Sequence, residues 1–254
     1  MGMLDDKIII ITGGASGIGE AAVRLCAAEG AKVVVADMSQ KRGEAVCAEM
    51  VDSGATCTFL ATDVSDEGQV ERLVGTTVDM YGRLDGAFNN AGIPQSLKKL
   101  HELPVDDWHK VLNTNLTSIF LCMKYEIPEL LKNGGGSIVN TSSSLGQVGI
   151  THASDYVASK HGVMGITRAA ACDYARDGIR INALMPGLTR TNMGEGLVIP
   201  DTVAQGFEHY MHILPVGRYG EAIEVARGAA WLLSDAAGFV NGIGLPVDGG
   251  YLTV

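Results

Sequence analysis

Short apolar runs alternate along the chain with longer amphipathic stretches, and this alternation predicts strands followed by helices. The apolar runs contain few polar residues, which is typical of strands that are buried on both faces of a sheet. The pattern predicts strands at residues 7–12, 32–36, 56–60, 84–88, 137–141, 179–184 and 244–247. It predicts helices at residues 17–29, 40–51, 66–80, 105–131, 154–175 and 221–234.

Strands that alternate with helices of ten or more residues imply right-handed crossovers between parallel strands. The sequence therefore predicts an α/β protein with a doubly wound parallel sheet, which is the Rossmann fold. No linker of changed composition divides the chain, so we expect residues 1–254 to form a single domain. The least regular stretch, residues 187–218, contains Pro200 and Pro215, and we expect it to form a mobile substrate loop or lid.

Composition narrows the classes of partner. The chain has 254 residues and a formal net charge of −10, so it would repel nucleic acids and anionic membranes. Its five cysteines form no CxxC pair, which favours reduced thiols in a cytoplasmic protein. The first residues are acidic, and no secretion signal is evident.

A glycine-rich segment, TGGASGIG at residues 12–19, stands between the first predicted strand and the first predicted helix. Glycines in this position let the backbone approach a pyrophosphate, and the helix N-terminus offers free N–H groups and a partial positive charge. The spacing is G-x-x-x-G-x-G, so the segment alone is equally consistent with tight packing of a turn.

Asp37 closes the second predicted strand, close to the position expected for a carboxylate that binds the adenosine ribose. A carboxylate there would accept hydrogen bonds from the ribose and repel a 2′-phosphate, which favours NAD over NADP. The alternative is a helix N-cap, a role that Ser39 could also fill. Lys41 and Arg42 fall within the next predicted helix, where we expect solvated side chains.

Tyr156 and Lys160 are four residues apart in a predicted helix, so their side chains share one face. A neighbouring ammonium group favours the phenolate form of tyrosine and lowers its pKa. A tyrosine tuned in this way can take a proton from an alcohol as its hydride leaves, or return the proton to a ketone. The alternative is an exposed pair without function, because Y-x-x-x-K also occurs by chance.

Two further polar features lie where the pattern suggests chemistry. Asn115 falls on the apolar stripe of its predicted helix, where its amide needs partners and could hold a water of a proton relay. Ser142, Ser143 and Ser144 follow the fifth predicted strand, at the edge where open α/β sheets bind ligands. A serine hydroxyl there can stabilise a developing alkoxide, but spacing alone does not select one of the three.

Taken in order, these residues resemble the short-chain dehydrogenase/reductase family over nearly the whole chain, from about residue 7 to residue 250. Several motifs carry the resemblance: TGGASGIG at 12–19, Asp63-Val64, NNAG at 89–92, Asn115, the serine before Y-x-x-x-K, Pro186-Gly187 and VDGG at 247–250. Any one of them is weak, whereas all of them in family order and spacing are specific.

The resemblance implies roles for individual residues. It selects Ser143 as the catalytic serine, with Tyr156 as acid–base, Lys160 as the group that lowers the tyrosine pKa and binds the nicotinamide ribose, and Asn115 as the holder of a relay water. It implies Asp63 and Val64 at the adenine and Asn90 nearest a ribose. The full set of cofactor-binding residues expected is Gly13, Ser16, Gly17, Ile18, Gly19, Asp37, Asp63, Val64, Asn90, Ala91, Gly92, Tyr156, Lys160, Pro186, Gly187, Thr189 and Thr191. No metal is needed, and a homotetramer is implied.

The leading hypothesis is an NAD-dependent oxidoreductase that interconverts a secondary alcohol and a ketone. The alternatives are a 3-oxoacyl-carrier-protein reductase, which Asp37 and the acidic charge disfavour, and a catalytically silent nicotinamide-binding sensor, which the complete set of catalytic residues disfavours. The predicted pocket wall is mostly apolar and favours a small neutral substrate. It comprises Ile93, Gln147, Val148, His152, Met193 and residues 194–214, with Arg190 close by in sequence.

Overall fold

The computed structural model describes residues 2–194 and 214–254. Its strands are β1 (Ile8–Thr12), β2 (Lys32–Asp37), β3 (Cys57–Ala61), β4 (Gly86–Asn89), β5 (Gly136–Thr141), β6 (Ile179–Pro186), β7 (Thr189–Arg190), β8 (Gly220–Glu221) and β9 (Gly244–Val247). Its helices are α1 (Gly17–Ala28), α2 (Gln40–Asp52), α3 (Glu67–Tyr81), α4 (Val105–Leu112), α5 (Ser118–Lys132), α6 (Ser154–Tyr174) and α7 (Ala222–Leu233).

Seven of these strands form one sheet in the order β3-β2-β1-β4-β5-β6-β9, and every neighbouring pair is parallel. The strand order reverses at β1, which pairs with β2 on one side and with β4 on the other. A reversal of this kind opens a crevice at the carboxyl ends of the strands, where ligands bind. The doubly wound parallel sheet predicted from the sequence is confirmed.

Both faces of the sheet are covered, which explains the continuous apolar runs of the strands. Ile9 and Ile11 belong to a core with α1, α2 and α7, whereas Ile10 belongs to a second core with α3, α5 and α6. Side chains alternate between the two faces of a strand, so a run of four isoleucines supplies both cores.

The predicted helix at residues 105–131 is wrong in one respect, because it is interrupted. Helix α4 ends at Leu112, residues Asn113–Thr117 form a π-helical turn, and α5 follows directly. A π turn adds one residue to the helical repeat without needing glycine or proline, so the sequence carries no stop signal there. The other boundaries differ by a few residues: β4 begins at Gly86 and β6 extends to Pro186.

Most of the substrate loop expected at residues 187–218 lies outside the described residues, as does most of the predicted pocket wall at 194–214. The two described ends of this stretch meet, since β7 pairs with β8 through Thr189 and Gly220. No helix within the described ranges is long and apolar enough to cross a membrane.

A buried polar network crosses from α5 to the sheet. The Asn89 amide nitrogen donates to Glu126 Oε2 at 3.0 Å and to Asn140 Oδ1 at 3.1 Å, and the Asn140 amide donates to Thr167. Burial raises the pKa of Glu126 to about 7, although the hydrogen bond from Asn89 opposes this shift. Glu126 is therefore the group that most directly links the stability of this core to pH.

Glu126 should make the fold less stable as pH rises from about 4.5 to about 7. The folded pKa is raised above its ordinary value of 4.5, so unfolding releases a proton between these two pH values and the free energy of unfolding falls. A shift of this size corresponds to about 3 kcal/mol. We expect Glu126→Gln to remove this pH dependence. The free energy of unfolding of the variant minus that of the unmodified protein should therefore increase as the pH rises from about 4.5 to about 7. Urea unfolding at pH 4.5, 6 and 8 measures it.

Glu129→Gln is the matched control, because Glu129 lies in the same helix and is more exposed. Its difference from the unmodified protein should not change in the same pH range. An equal pH dependence in the two variants would show that Glu126 is not the group responsible.

Candidate active site

The expected catalytic side chains come from three places: the segment after β5, helix α6 and the π-helical turn. Tyr156 and Lys160 lie one turn apart in α6, and Lys160 Nζ is 5.4 Å from the centroid of the Tyr156 ring. Lys160 is buried and donates a hydrogen bond of 2.8 Å to the carbonyl oxygen of Thr141, the last residue of β5. This bond fixes the lysine between the sheet and the tyrosine, so the pair is not an exposed one.

The structure separates the three serines that follow β5. Ser143 Oγ forms a hydrogen bond with Tyr156 and also accepts one from the Leu145 N–H at 3.1 Å. Ser142 Oγ instead donates to the Lys160 carbonyl oxygen at 2.9 Å and is buried. Ser143 is therefore the serine that the fold presents to Tyr156, in agreement with the position that the family resemblance selects.

Burial dominates the ionisation of Tyr156 and Lys160. It raises the pKa of Tyr156 to about 12, with the hydrogen bond from Ser143 acting in the opposite direction, and it lowers the pKa of Lys160 to about 8. The lowered tyrosine pKa expected from the sequence is therefore not what this structure shows. The reason is that removing the phenolate from water destabilises it by more than the hydrogen bond from Ser143 stabilises it.

Asn115 lies in the π-helical turn and is wholly buried. Its side chain pairs twice with one residue, since Oδ1 accepts from the Ile93 N–H at 2.8 Å and Nδ2 donates to the Ile93 carbonyl at 2.9 Å. The amide is thus satisfied by the loop after β4. That it holds a relay water stays a prediction.

The glycine-rich turn lies against the loop after β4. Gly13 has φ of +65°, and a side chain there would meet the Ala91 backbone at 2.9 Å. The Thr12 hydroxyl accepts from the N–H groups of Asn90 and Ala91 at 2.9 and 3.1 Å. Ser16 stands at the N-cap of α1 without a capping hydrogen bond from its side chain. The first turn of α1 therefore keeps N–H groups available for an anion.

Asp37 ends β2 and faces this turn. Its Oδ2 accepts from the Ala15 N–H at 3.0 Å and its Oδ1 accepts from the Ser39 N–H at 2.8 Å. The carboxylate thus joins the glycine-rich turn to the start of α2, and Ser39 makes no capping bond of its own. Lys41 and Arg42 are exposed on α2, as expected.

The remaining expected cofactor residues lie at or after the carboxyl ends of β1, β3, β4 and β6. Asp63 accepts hydrogen bonds from the N–H and hydroxyl of Ser65, and Val64 is buried in a small cluster that includes Ala91. The others lie at three further places in the chain. Gly17, Ile18 and Gly19 form the start of α1, Gly92 lies in the loop after β4, and Pro186, Gly187, Thr189 and Thr191 lie at the end of β6 and beyond. A Cβ on Gly17 would lie 3.2 Å from the Thr191 side chain, so the start of α1 and the segment after β6 lie against each other.

The structure shows how two residues in or near the predicted pocket wall are held. Arg190 pairs with Glu221 at 3.2 Å and lies over the Tyr219 ring, so β8 and its neighbour account for its direction. His152, in the predicted pocket wall, has a backbone φ of +60°, and its Nδ1 is buried without a hydrogen-bond partner in the described structure. Gln147 and Val148 are exposed, and Ile93 is half-buried.

Sequence reasoning missed one residue of this region. Asp155 is buried next to Tyr156, accepts from the Tyr156 N–H at 2.8 Å and also binds Ser96. The signal available was an acidic residue in the first turn of a helix, and this is common enough in exposed helices to attract no notice.

Comparison with known proteins agrees with this geometry. Residues 13–252 match the family described as enoyl-(acyl carrier protein) reductase. The chain is 46% identical over 256 residues to a 2,5-dichloro-2,5-cyclohexadiene-1,4-diol dehydrogenase of Sphingobium indicum, covering 100% of both chains. It is 40% identical over 248 residues to a cyclohexanol dehydrogenase of Acinetobacter sp., covering 97% of this chain and 95% of that one.

The fold agrees equally well with a solved structure. The crystal structure of levodione reductase matches it with a TM-score of 0.94 and 40% identity, covering 99% of each chain. These relatives are dehydrogenases and reductases of alcohols and ketones, and family members use nicotinamide cofactors. The chain is an oxidoreductase that belongs to the short-chain dehydrogenase/reductase family.

Proposed function

We propose that the protein is an NAD(H)-dependent oxidoreductase that interconverts a secondary alcohol and a ketone, with Tyr156 as its acid–base. The observation that carries the proposal is the grouping of Ser143, Tyr156 and Lys160 at the carboxyl end of the sheet, beside the end of β5. A hydroxyl, a phenol and an amine that converge at such a crevice are suited to holding and protonating a substrate oxygen.

The crevice fits a dinucleotide. Gly13 allows the turn to approach the loop after β4, and the first turn of α1 keeps N–H groups for a pyrophosphate. When bound there, the nicotinamide would supply or accept the hydride. The residues that would hold the cofactor are those of the glycine-rich turn, Asp37, Asp63, Asn90 and Lys160, together with the border at Pro186–Thr191.

Tyr156 and Ser143 divide the work at the substrate oxygen. With a pKa of about 12, Tyr156 holds its proton at neutral pH and can donate it to a ketone oxygen as that oxygen gains negative charge. Ser143 Oγ, which lies beside the phenol, can donate a hydrogen bond to the same oxygen. In the reverse direction Tyr156 must lose its proton to accept one from the alcohol, and a charged Lys160 stabilises the phenolate.

Asp37 supports NAD as the cofactor. Its two oxygens are held in place by N–H groups on either side, so the negative charge stays at the end of β2. A 2′-phosphate at that position would meet this charge, whereas a ribose hydroxyl could donate to it. The exposed Lys41 and Arg42 on α2 do not pair with Asp37 in the described residues.

The substrate class follows from the relatives and from the pocket wall. Two of the relatives are named for cyclohexane-type rings that carry hydroxyl groups. The described residues of the predicted pocket wall include no aspartate, glutamate, lysine or arginine, and the nearby Arg190 is paired with Glu221. We therefore favour a neutral cyclic secondary alcohol or ketone.

We also propose a homotetramer and a cytoplasmic location. A homotetramer through α5 and α6 would cover apolar surface, since Phe120 on the outer side of α5 is about half exposed. A cytoplasmic location stays a prediction from the sequence, and the cysteines in the described structure are unbonded thiols.

Tyr156→Phe should lower kcat for reduction of cyclic ketones at least ~100-fold, because it removes the proton donor. Binding of NADH, measured by fluorescence titration, should persist. Tyr174→Phe, at the other end of α6, is the matched control and should keep full activity. An equally active Tyr156→Phe variant would overturn the proposed chemistry. Absence of turnover by the unmodified protein on a broad panel, with tight NADH binding, would favour a sensor.

Asp37→Asn should weaken the preference for NADH over NADPH by roughly tenfold or more, a change of about 1.4 kcal/mol. The amide removes the charge and keeps one acceptor oxygen, so it can accept from the Ala15 N–H or the Ser39 N–H but not from both. Steady-state kcat/KM for the two cofactors measures the preference. Asp52→Asn, the same change at the far end of α2, is the control and should leave it unaltered. An unmodified protein that prefers NADPH would contradict the proposal and favour the carrier-protein reductase.

Gly19→Ala should abolish cofactor binding, because a Cβ at this position would lie 2.0 Å from the Gly13 carbonyl oxygen and force the turn open. Gly75→Ala tests the same change in α3, where nothing lies within 4 Å of the added Cβ. That variant should bind NADH normally and gain roughly 0.5–1 kcal/mol of stability, since alanine favours helix over glycine. Equal NADH affinity in the two variants would show that the turn does not cradle the cofactor.

A further inference from the structure

Residues 93–96, named the strap, run beside the catalytic turn of α6. The strap begins next to Gly92, where a Cβ would lie 3.7 Å from Lys160 Nζ. It ends at Ser96, which binds the residue next to Tyr156. It has no regular secondary structure, so its position depends on the groups that anchor it.

Two anchors hold the strap, and each comes from a helix that carries an expected catalytic residue. Asn115 pairs with both backbone groups of Ile93. Asp155 Oδ2 accepts from the Ser96 N–H at 3.0 Å and also from the Ser96 hydroxyl. The strap is thus fixed at both ends, one end to the π-helical turn and the other to the start of α6.

Asp155 joins the strap to the backbone of Tyr156. While its Oδ2 serves Ser96, its Oδ1 accepts from the Tyr156 N–H at 2.8 Å. Asp155 is only 1% exposed, and no lysine or arginine of the described residues forms an ion pair with it. A buried carboxylate is costly unless it is hydrogen-bonded, and here three donors and a helix N-terminus compensate it.

The residue type matches this bridging task. A carboxylate offers two acceptor oxygens and can serve donors on both sides at once. An asparagine offers one acceptor oxygen and would turn an NH₂ group towards either Ser96 or the Tyr156 N–H. Capping of α6 alone would not require a carboxylate, since neutral serine, threonine and asparagine side chains do this well.

We propose that Asp155 is a positioning residue, which through Ser96 fixes the strap against Tyr156 and so sets how the substrate carbonyl is presented to the phenol. The inference rests on the proposed function of Tyr156. Leu97, directly after the strap, has φ of +57°, a conformation that non-glycine residues rarely adopt and that must be held by its surroundings. Loss of the Asp155 bridge would release this segment.

The test uses Asp155→Asn, Ser96→Ala and Ser96→Thr in the full-length protein, with a cyclic ketone and NADH. Asp155→Asn should lower kcat/KM for the ketone about tenfold, and Ser96→Ala should raise KM for the ketone several-fold, while the dissociation constant of NADH stays unchanged. Ser96→Thr keeps the hydroxyl and should restore KM. The double variant Asp155→Asn/Ser96→Ala should be little worse than Asp155→Asn, because the two residues act through one contact.

Asp173→Asn, an exposed change in the same helix, controls for lost charge, and Ser53→Ala, at the exposed end of α2, controls for a lost hydroxyl. Both should behave as the unmodified protein does. Unchanged ketone kinetics in Asp155→Asn and Ser96→Ala would overturn the proposal. So would a loss of activity that only follows the fraction of folded protein or the loss of NADH binding.

Amide hydrogen exchange of residues 93–99 separates this proposal from the proposed function. Exchange should be at least several-fold faster in Asp155→Asn than in the unmodified protein or in Asp173→Asn, whether or not a ketone substrate is turned over. Unaltered exchange would overturn the Asp155 bridge even if Tyr156 proves catalytic. Faster exchange in an enzyme that reduces no ketone would contradict the proposed function and leave the bridge standing.

Discussion

The pairing of β1 with β2 on one side and β4 on the other is the constraint on which the rest of this structure depends. It sends the crossovers to opposite faces and leaves a crevice at the carboxyl ends of the strands. The Thr12 hydroxyl, at the end of β1, connects this strand to the loop after β4 by accepting hydrogen bonds from the N–H groups of Asn90 and Ala91. The glycine-rich turn after β1, the loop after β4 and Ser143 after β5 therefore all lie at the carboxyl end of the sheet.

The strands and their parallel arrangement could be predicted from the sequence because both faces of the sheet are covered. A run such as that of β1 is apolar throughout, and few arrangements other than a covered parallel sheet accommodate several such runs. The π-helical turn at Asn113–Thr117 could not be predicted, because it keeps the apolar stripe of a continuous helix and contains no breaker. The sequence pattern places Asn115 on the buried face, but only the structure shows that Ile93 satisfies it.

The residues of the candidate site that belong to sequence motifs could be predicted. Ser143, Tyr156 and Lys160 follow from spacing and resemblance, and the fold brings them together. Asp155 was not predictable, because its meaning depends on Ser96, which is 59 residues earlier in the chain. The ionisation of Tyr156 was not predictable either. Spacing shows that an ammonium group is near, but it does not show how far burial opposes the charged form of each group.

Lys160 is hydrogen-bonded to the end of β5 and is also proposed to bind the cofactor. An ammonium group has three N–H donors, and the described residues supply Thr141 O as its acceptor. Burial with so few partners is the physical reason why the pKa of Lys160 falls to about 8. Hydroxyl groups of a ribose bound beside it would complete its hydrogen bonds and favour the charged form. A charged Lys160 would in turn favour loss of the proton from Tyr156, against the effect of burial, which raises the pKa of Tyr156 to about 12.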